Sequence, residues 1–258
     1  MKKLAFLVIG ITLLGGISNA QDSLYIYHEG LVVNKLATDG IDSMVFYNAE
    51  IYGNLTDVEN NHYKTVVIGT QTWMAANLRV TKYNDGTAIP LVTDSAVWTT
   101  LSTGAYCTYN NTVDADTINS YGRLYNWFAV NTGKLCPTGW HAPNDSEWTT
   151  LNSYVGVTYG SVPQALAATT GWAGWPNPGS PGDNLSANNI SGFSALPGGY
   201  RNWTATYGAF GTDARWWVTT EINLPNAYLI SMSYFSKYLD IGGGVEKRTG
   251  VSVRCLKD

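Results

Sequence analysis

Charge is scarce in this chain. Only 13% of its 258 residues are Asp, Glu, Lys or Arg, and the acidic ones prevail, 19 against 15, for a net charge of −4. A basic face able to gather phosphates is missing, which argues against nucleic acid as a partner. Long hydrophobic runs are missing too. After the first twenty residues no stretch approaches the roughly 20 apolar residues of a membrane helix, so no integral membrane segment is expected in the mature chain. Histidine is limited to His28, His62 and His141, without His-x-x-x-His spacing. A Gly-x-Ser-x-Gly elbow, a P-loop and a His-Glu-x-x-His helix are all absent. Gly242-Gly243-Gly244 runs into Val245-Glu246-Lys247 rather than a helix start, and reads as a flexible turn, not a phosphate cradle. No metal site and no cofactor are expected. Asp183, Asn184 and Asp213 are the weak oxygen candidates for a cation.

What the chain has instead is aromatic and glycine punctuation: 10 Trp, 17 Tyr and 27 Gly. Such a sequence has enough large side chains for one sizeable core, threaded by many turns. Lys2 and Lys3 precede an apolar stretch from Leu4 to Ile17, and Ser18-Asn19-Ala20 supplies small residues for cleavage. Residues 1–20 therefore read as a signal peptide. The protein is expected to be exported, and to be secreted, periplasmic or at the cell surface. Without the two leader lysines the charge is −6. The three cysteines, Cys107, Cys136 and Cys255, then suggest one disulfide and one odd thiol, with three pairings open.

Residues 21–56 read as a small β leader and linker. Ser23 to Tyr27, Leu31 to Leu36 and Ile41 to Phe46 alternate as strands would, and 48–60 is polar. The main domain is expected over 57–258. Lys64 to Ile68 and Gln71 to Met74 read as strands around a Gly69-Thr70 turn. Residues 105–109 suggest a strand with Cys107, and 110–119 an exposed loop. Ser120 is expected to cap a helix presenting Leu124, Trp127 and Phe128 and ending at Gly133. Asn144 with Glu147 resembles a capping box for a helix through Leu151 and Tyr154, and a short helix follows Ser161. Residues 171–215 hold few helix or strand signals. Strands return over 215–220, 227–233 and 250–256.

Several segments occur together in one order: Val67-Ile68-Gly69-Thr70-Gln71-Thr72-Trp73-Met74-Ala75-Ala76-Asn77-Leu78, then Tyr121-Gly122-Arg123-Leu124-Tyr125-Asn126-Trp127, and Cys136-Pro137 through Trp148. Leu196-Pro197-Gly198-Gly199-Tyr200-Arg201, Trp216-Trp217 and Gly250 to Asp258 follow. From about residue 57 to 258 the chain resembles the Fibrobacter succinogenes major paralogous domain, an exported module common in Fibrobacter and Bacteroidetes. That family looks like a relative of the C-type lectin-like and formylglycine-generating-enzyme folds. The resemblance implies an α+β fold: a mixed, mainly antiparallel sheet, two or three helices and a long irregular loop region, after the β leader. It further implies pairing of the first and last strands and a Cys136–Cys255 bridge, leaving Cys107 unpaired.

The chemistry of those relatives does not transfer. The active cysteine pair of the formylglycine-generating enzymes is missing, with only Cys255 near the C-terminus. The calcium signatures of sugar-binding lectins are missing as well: Leu224 precedes Pro225-Asn226, and Val218 follows Trp216-Trp217. Aromatic-rich loops still suit sugar rings. Trp172, Trp175 and Trp203, with Asn184, Arg201 and Asn202 nearby in sequence, are the candidate ligand-binding residues. The function expected is a non-catalytic binding module for a polysaccharide or a surface protein. The alternatives are an enzyme on the formylglycine-enzyme-like scaffold and a purely structural surface protein.

Overall fold

The computed structural model describes residues 23–28, 31–37 and 52–258, the first two as backbone only. The chain divides into two compact units, Met1–Asn48 and Ala49–Asp258. In the first, β1 (Ser23–His28) and β2 (Leu31–Ala37) form an antiparallel hairpin with a register break at Ile26/Tyr27. The signal segment 1–20 and the third apolar run, 41–46, lie outside the described residues.

The second unit is α+β with mainly antiparallel strands. Its elements in chain order are β3 (Tyr52–Thr56), β4 (His62–Ile68), β5 (Gln71–Met74), α1 (Ser95–Trp98), β6 (Tyr106–Cys107), α2 (Ala115–Tyr121) and β7 (Leu124–Tyr125). There follow α3 (Trp127–Val130), β8 (Trp140–His141), α4 (Asp145–Tyr159), α5 (Val162–Leu166), β9 (Gly198–Arg201) and β10 (Tyr207–Phe210). The last are β11 (Asp213–Glu221), β12 (Asn226–Ser233), β13 (Asp240–Glu246) and β14 (Leu256–Lys257). A five-stranded sheet runs β3-β4-β5-β14-β8, and a three-stranded one β11-β12-β13. The hairpin β9–β10 and the ribbon β6–β7 complete the set.

Local chemistry explains several elements. Gly69, with φ at +63°, makes the turn between β4 and β5. α4 begins at a capping box: Asn144 accepts from the Glu147 amide while the Glu147 carboxylate accepts from the Asn144 amide. Its buried residues Trp148, Leu151 and Val155 follow helical spacing. Trp148 meets Trp73 with ring centroids 4.8 Å apart, and Phe193 and Trp216 complete this aromatic cluster. Trp216 and Trp217 point to opposite faces of β11 and serve different halves of the core, so both are buried.

Five expectations need correction. Residues 48–60 are not simply linker: 52–56 form the edge strand β3, almost wholly exposed, which accounts for its polar composition. The helix expected from Ser120 to Gly133 is two helices with a strand between. Gly122 breaks it with φ at +77°, where a Cβ would come within 2.7 Å of the Asn77 Cβ. Leu124–Tyr125 then pairs with β6, and Asn126 caps a new helix by accepting from the Ala129 amide. The polar stretch 110–119, expected as a loop, contributes most of α2, capped by Asp114. The triple glycine is the middle of edge strand β13, where the Ile222 side chain lies so close that a Cβ on Gly244 would be 2.6 Å from it.

The C-terminal segment is not one strand over 250–256 either. Gly250 bridges to Arg201, Val251 to Tyr125 and Ser252 to Trp216, before Leu256 pairs with Trp73 and His141. Each residue answers a different neighbour, so a continuous ladder never forms. Cys255, in the same segment, is disulfide-bonded to Cys136 across a Cα separation of 5.9 Å. Cys107 is free and buried, and burial pushes its thiol up to about 11.

Buried cations hold the loops around this segment. Arg254 is 1% exposed and donates to the carbonyls of Phe193 and Ser194 and to Asn77 Oδ1. Its guanidinium lies over the Phe193 ring. Burial lowers its pKa to about 9, which still leaves it charged at neutral pH. Arg201, fully buried, likewise serves carbonyls, those of Val92 and Thr93, and stacks on Trp98. The β-rich sequence thus fixes its irregular loops with planar five-donor side chains that reach several carbonyls at once.

Candidate functional site

The turn joining β9 to β10 presents Trp203. Asn202 closes it: its Oδ1 accepts from the Thr206 amide at 2.7 Å and from Thr204 Oγ1 at 2.8 Å. Asn202 N also donates to Thr206 O, and Ala205 N to Asn202 O. Ala205 adopts φ at +66° and tucks inward, leaving Trp203 49% exposed at the tip. The indole stands over a cleft of about 530 Å³ lined by Tyr200, Asn202, Trp203, Arg215, Asn226 and Glu246, with the backbone of β13 as one wall.

The charged side chains here are arranged in pairs. Arg215 lies flat on Tyr200, 4.0 Å from the ring centroid, and its Nη2 donates to Asp213 Oδ2 at 2.9 Å. Glu246 receives Arg248 Nε on both oxygens, at 3.0 and 2.7 Å, and Arg248 in turn sits 6.0 Å from the Trp203 ring. Lys247, facing away into the core, pairs with Glu221 and stacks on Trp127. An exposed aromatic face bordered by amides, a carboxylate and a guanidinium can stack on a flat ring and hydrogen-bond its substituents. No group of three or more His, Cys, Asp or Glu among the described residues is arranged to hold a metal.

Of the residues expected at a site, the fold brings Asn202 and Trp203 together in this cleft. Trp172 is 5% exposed and donates its indole N–H to Ala195 O, so it offers no face to a ligand. Arg201 is a buried brace, as described above. Trp175 is half exposed but packs on Tyr234 and Phe235, past the C-terminal end of β12, whereas Asn226 in the cleft starts that strand. At about 3.3 Å per residue the strand alone separates them by about 25 Å. Asn184 caps a short 3-10 turn, Leu185–Ala187, through its side chain. Tyr200, Arg215, Asn226 and Glu246 went unmarked in the sequence reading. Tyr200 stands in one of the family-like segments, and the others carry no local signal, since they lie far from Trp203 in sequence: Asn226 faces Glu246 across β12–β13, and Arg215 stacks on Tyr200.

A second polar cluster ties the sheet to α4. His141 Nδ1 lies 2.6 Å from Asp258 Oδ1, and Nε2 lies 2.9 Å from Glu147 Oε1. Partial burial opposes a charged imidazole, but hydrogen bonds to Asp258 and Glu147 and their charges outweigh it and raise the His141 pKa. Both ring nitrogens are taken by carboxylates, which makes this a structural clasp rather than a free base.

Searches of curated proteins and of solved structures found no match. No helix among the described residues is long and apolar enough to cross a membrane. A family model described as the Fibrobacter succinogenes major domain matches residues 66–257, which contain the capping-box helix, the Trp203 cleft and both bridged cysteines. The chain belongs to the Fibrobacter succinogenes major domain family.

Proposed function

We propose that the protein is an exported, non-catalytic binding module with a C-type lectin-like fold, and that it takes a polysaccharide at the Trp203 cleft. The observation that carries this reading is the half-exposed indole of Trp203 held on a tight turn over Asn202, Asn226, Arg215 and Glu246. Rigid aromatic faces bind sugar rings at low entropic cost, and neighbouring amides and charges read the hydroxyls. The buried Cys136–Cys255 bridge supports export, because such bonds persist in oxidising compartments. The basic and apolar leader in the sequence supports the same destination. A purely structural surface protein has no use for a concave polar cleft, which favours the binding reading over that alternative.

The test is a panel of immobilised neutral and acidic polysaccharides probed with the mature protein, Trp203→Ala and Trp175→Ala. Wild type and Trp175→Ala are expected to bind at least one polysaccharide equally well. Trp203→Ala should lose about 1.5–3 kcal/mol, roughly 10- to 150-fold, as removal of an aromatic anchor does. Absence of binding across the panel, or full binding by Trp203→Ala, would sink the reading.

A further inference from the structure

Within the cleft, only two side chains that line it carry charge, Arg215 and Glu246. Their hydrogen-bonding capacity is not equally spent. Both oxygens of Glu246 are occupied by Arg248, whose Nη2 also lies 2.5 Å from Oε2, and a third Arg248 nitrogen serves the Thr99 carbonyl. That ion pair is closed on itself. Arg215 spends one nitrogen on Asp213 and is held flat by Tyr200. Its Nε is buried without a partner, and its Nη1 makes no hydrogen bond among the described residues. The guanidinium is thus fixed in the same cleft as the exposed indole, and because Nε is buried out of a ligand's reach, Nη1 is the nitrogen left to meet one. An uncommitted Nη1 on a guanidinium held in place can take an acceptor from outside the chain. For a guanidinium with an open edge, the acceptor that gains most is a carboxylate, through charge-assisted bonds.

Resting on the saccharide reading above, we infer that the cleft selects acidic sugars: a uronate ring stacks on Trp203 and places its carboxylate on the open edge of Arg215. The remaining contacts are consistent with that division of labour. Asn202 has both acceptor directions of Oδ1 committed to the turn, which leaves its NH₂ to donate. Asn226 is the opposite case: its NH₂ donates to Asn223 Oδ1, which leaves its own Oδ1 to accept, so the cleft offers both a donor and an acceptor for ring hydroxyls beside the Arg215 guanidinium. A neutral sugar meets the same indole but leaves Arg215 as it is. The chain is acidic as a whole, so the preference is set by this one local cation and not by a general attraction for polyanions.

The experiment is isothermal titration of the mature protein with oligomers of galacturonate, mannuronate, guluronate and a glucuronate-bearing xylan. Each is paired with its carboxyl-reduced counterpart, which keeps the ring and replaces the carboxylate by a hydroxymethyl group. At least one uronate oligomer is expected to bind tenfold or more tighter than its reduced form. Arg215→Gln should erase that preference while retaining the weaker binding of the reduced oligomer. Arg215→Lys should keep part of it, because the charge survives and the fork does not. Trp203→Ala should weaken acidic and reduced forms alike. Equal binding of each acidic and reduced pair by wild type overturns the inference while leaving the saccharide reading standing. So does an undiminished preference in Arg215→Gln that thermal unfolding shows to be folded. If no oligomer of either kind binds and the polysaccharide panel is also blank, the saccharide reading falls and takes this inference with it.

Discussion

Removing the disulfide should be among the costliest single changes to the second unit. Cys136 and Cys255 are 119 residues apart, and their bond closes more than half of the second unit into one covalent loop. In the chain-entropy account a loop of that size restrains the unfolded chain by about 5 kcal/mol at 25 °C. The double variant Cys136→Ala/Cys255→Ala keeps both Cβ atoms and introduces no polar group into sites that are 2% and 0% exposed. For a unit of this size, about 2–4 °C of Tm per kcal/mol converts the loss into a fall of about 10–20 °C. Tryptophan emission is the right probe, because all ten tryptophans lie at residue 73 or beyond, within the second unit. Guanidinium titrations followed by that emission should show a lower midpoint and a steeper slope, because the unfolded chain freed of its bridge is less compact and exposes more surface. A loss under about 1 kcal/mol would refute the reasoning. It would mean that the β5–β14–β8 pairing already restrains the same ends in the unfolded ensemble, leaving the bridge little entropy to remove.

Two further outcomes follow from the clasp and the buried arginine. The His141 pKa is raised in the folded state above its ordinary 6.5. Its contribution is therefore fully present below pH 6.5 and is lost as pH rises through the folded-state value. Urea midpoints should fall between pH 6 and pH 9 in wild type and change less in His141→Gln; equal slopes in the two proteins would remove the clasp from the account. Arg254→Met strands the Phe193 and Ser194 carbonyls and Asn77 Oδ1, at about 1–3 kcal/mol for each buried group left unpaired. Calorimetry should show a loss of at least about 3 kcal/mol, with only partial recovery in Arg254→Lys. A loss below about 1 kcal/mol would assign the holding role to the packing of the Phe193 and Trp216 rings on each other instead.

Short-range signals in the sequence carried much of the fold. The Gly69-Thr70 turn, the Asn144–Glu147 capping box, the strands around Trp216 and the apolar stripe of α4 each depend on residues within one or two turns of one another. Those features appeared where expected, and the aromatic motifs placed the chain in its family. Sequence proximity failed for the loops. Trp172, Trp175 and Arg201 sat beside Trp203 in the irregular stretch, yet one is core, one lies about a strand's length away, and one is a buried brace. Glycine misled as well: the 242–244 run reads as a turn, yet it pairs with β12 as a strand, and the approach of Ile222 accounts for the missing side chain at Gly244.

From its residues alone, the chain declares its family, its turns and caps, and its low charge. Its cysteine pairing follows from the family resemblance. What the tertiary structure decided is which side chains share a surface. Trp203, Arg215, Asn226 and Glu246 come from a turn and three separate strands: the β12–β13 register sets Asn226 opposite Glu246, whereas Arg215 stands opposite Ser231 in β11–β12 and lines the cleft against Tyr200 of β9. A register step of one residue sends every side chain of a strand to the other face. Periodicity shows that a strand exists, while the pairing of distant strands determines what its exposed face can bind.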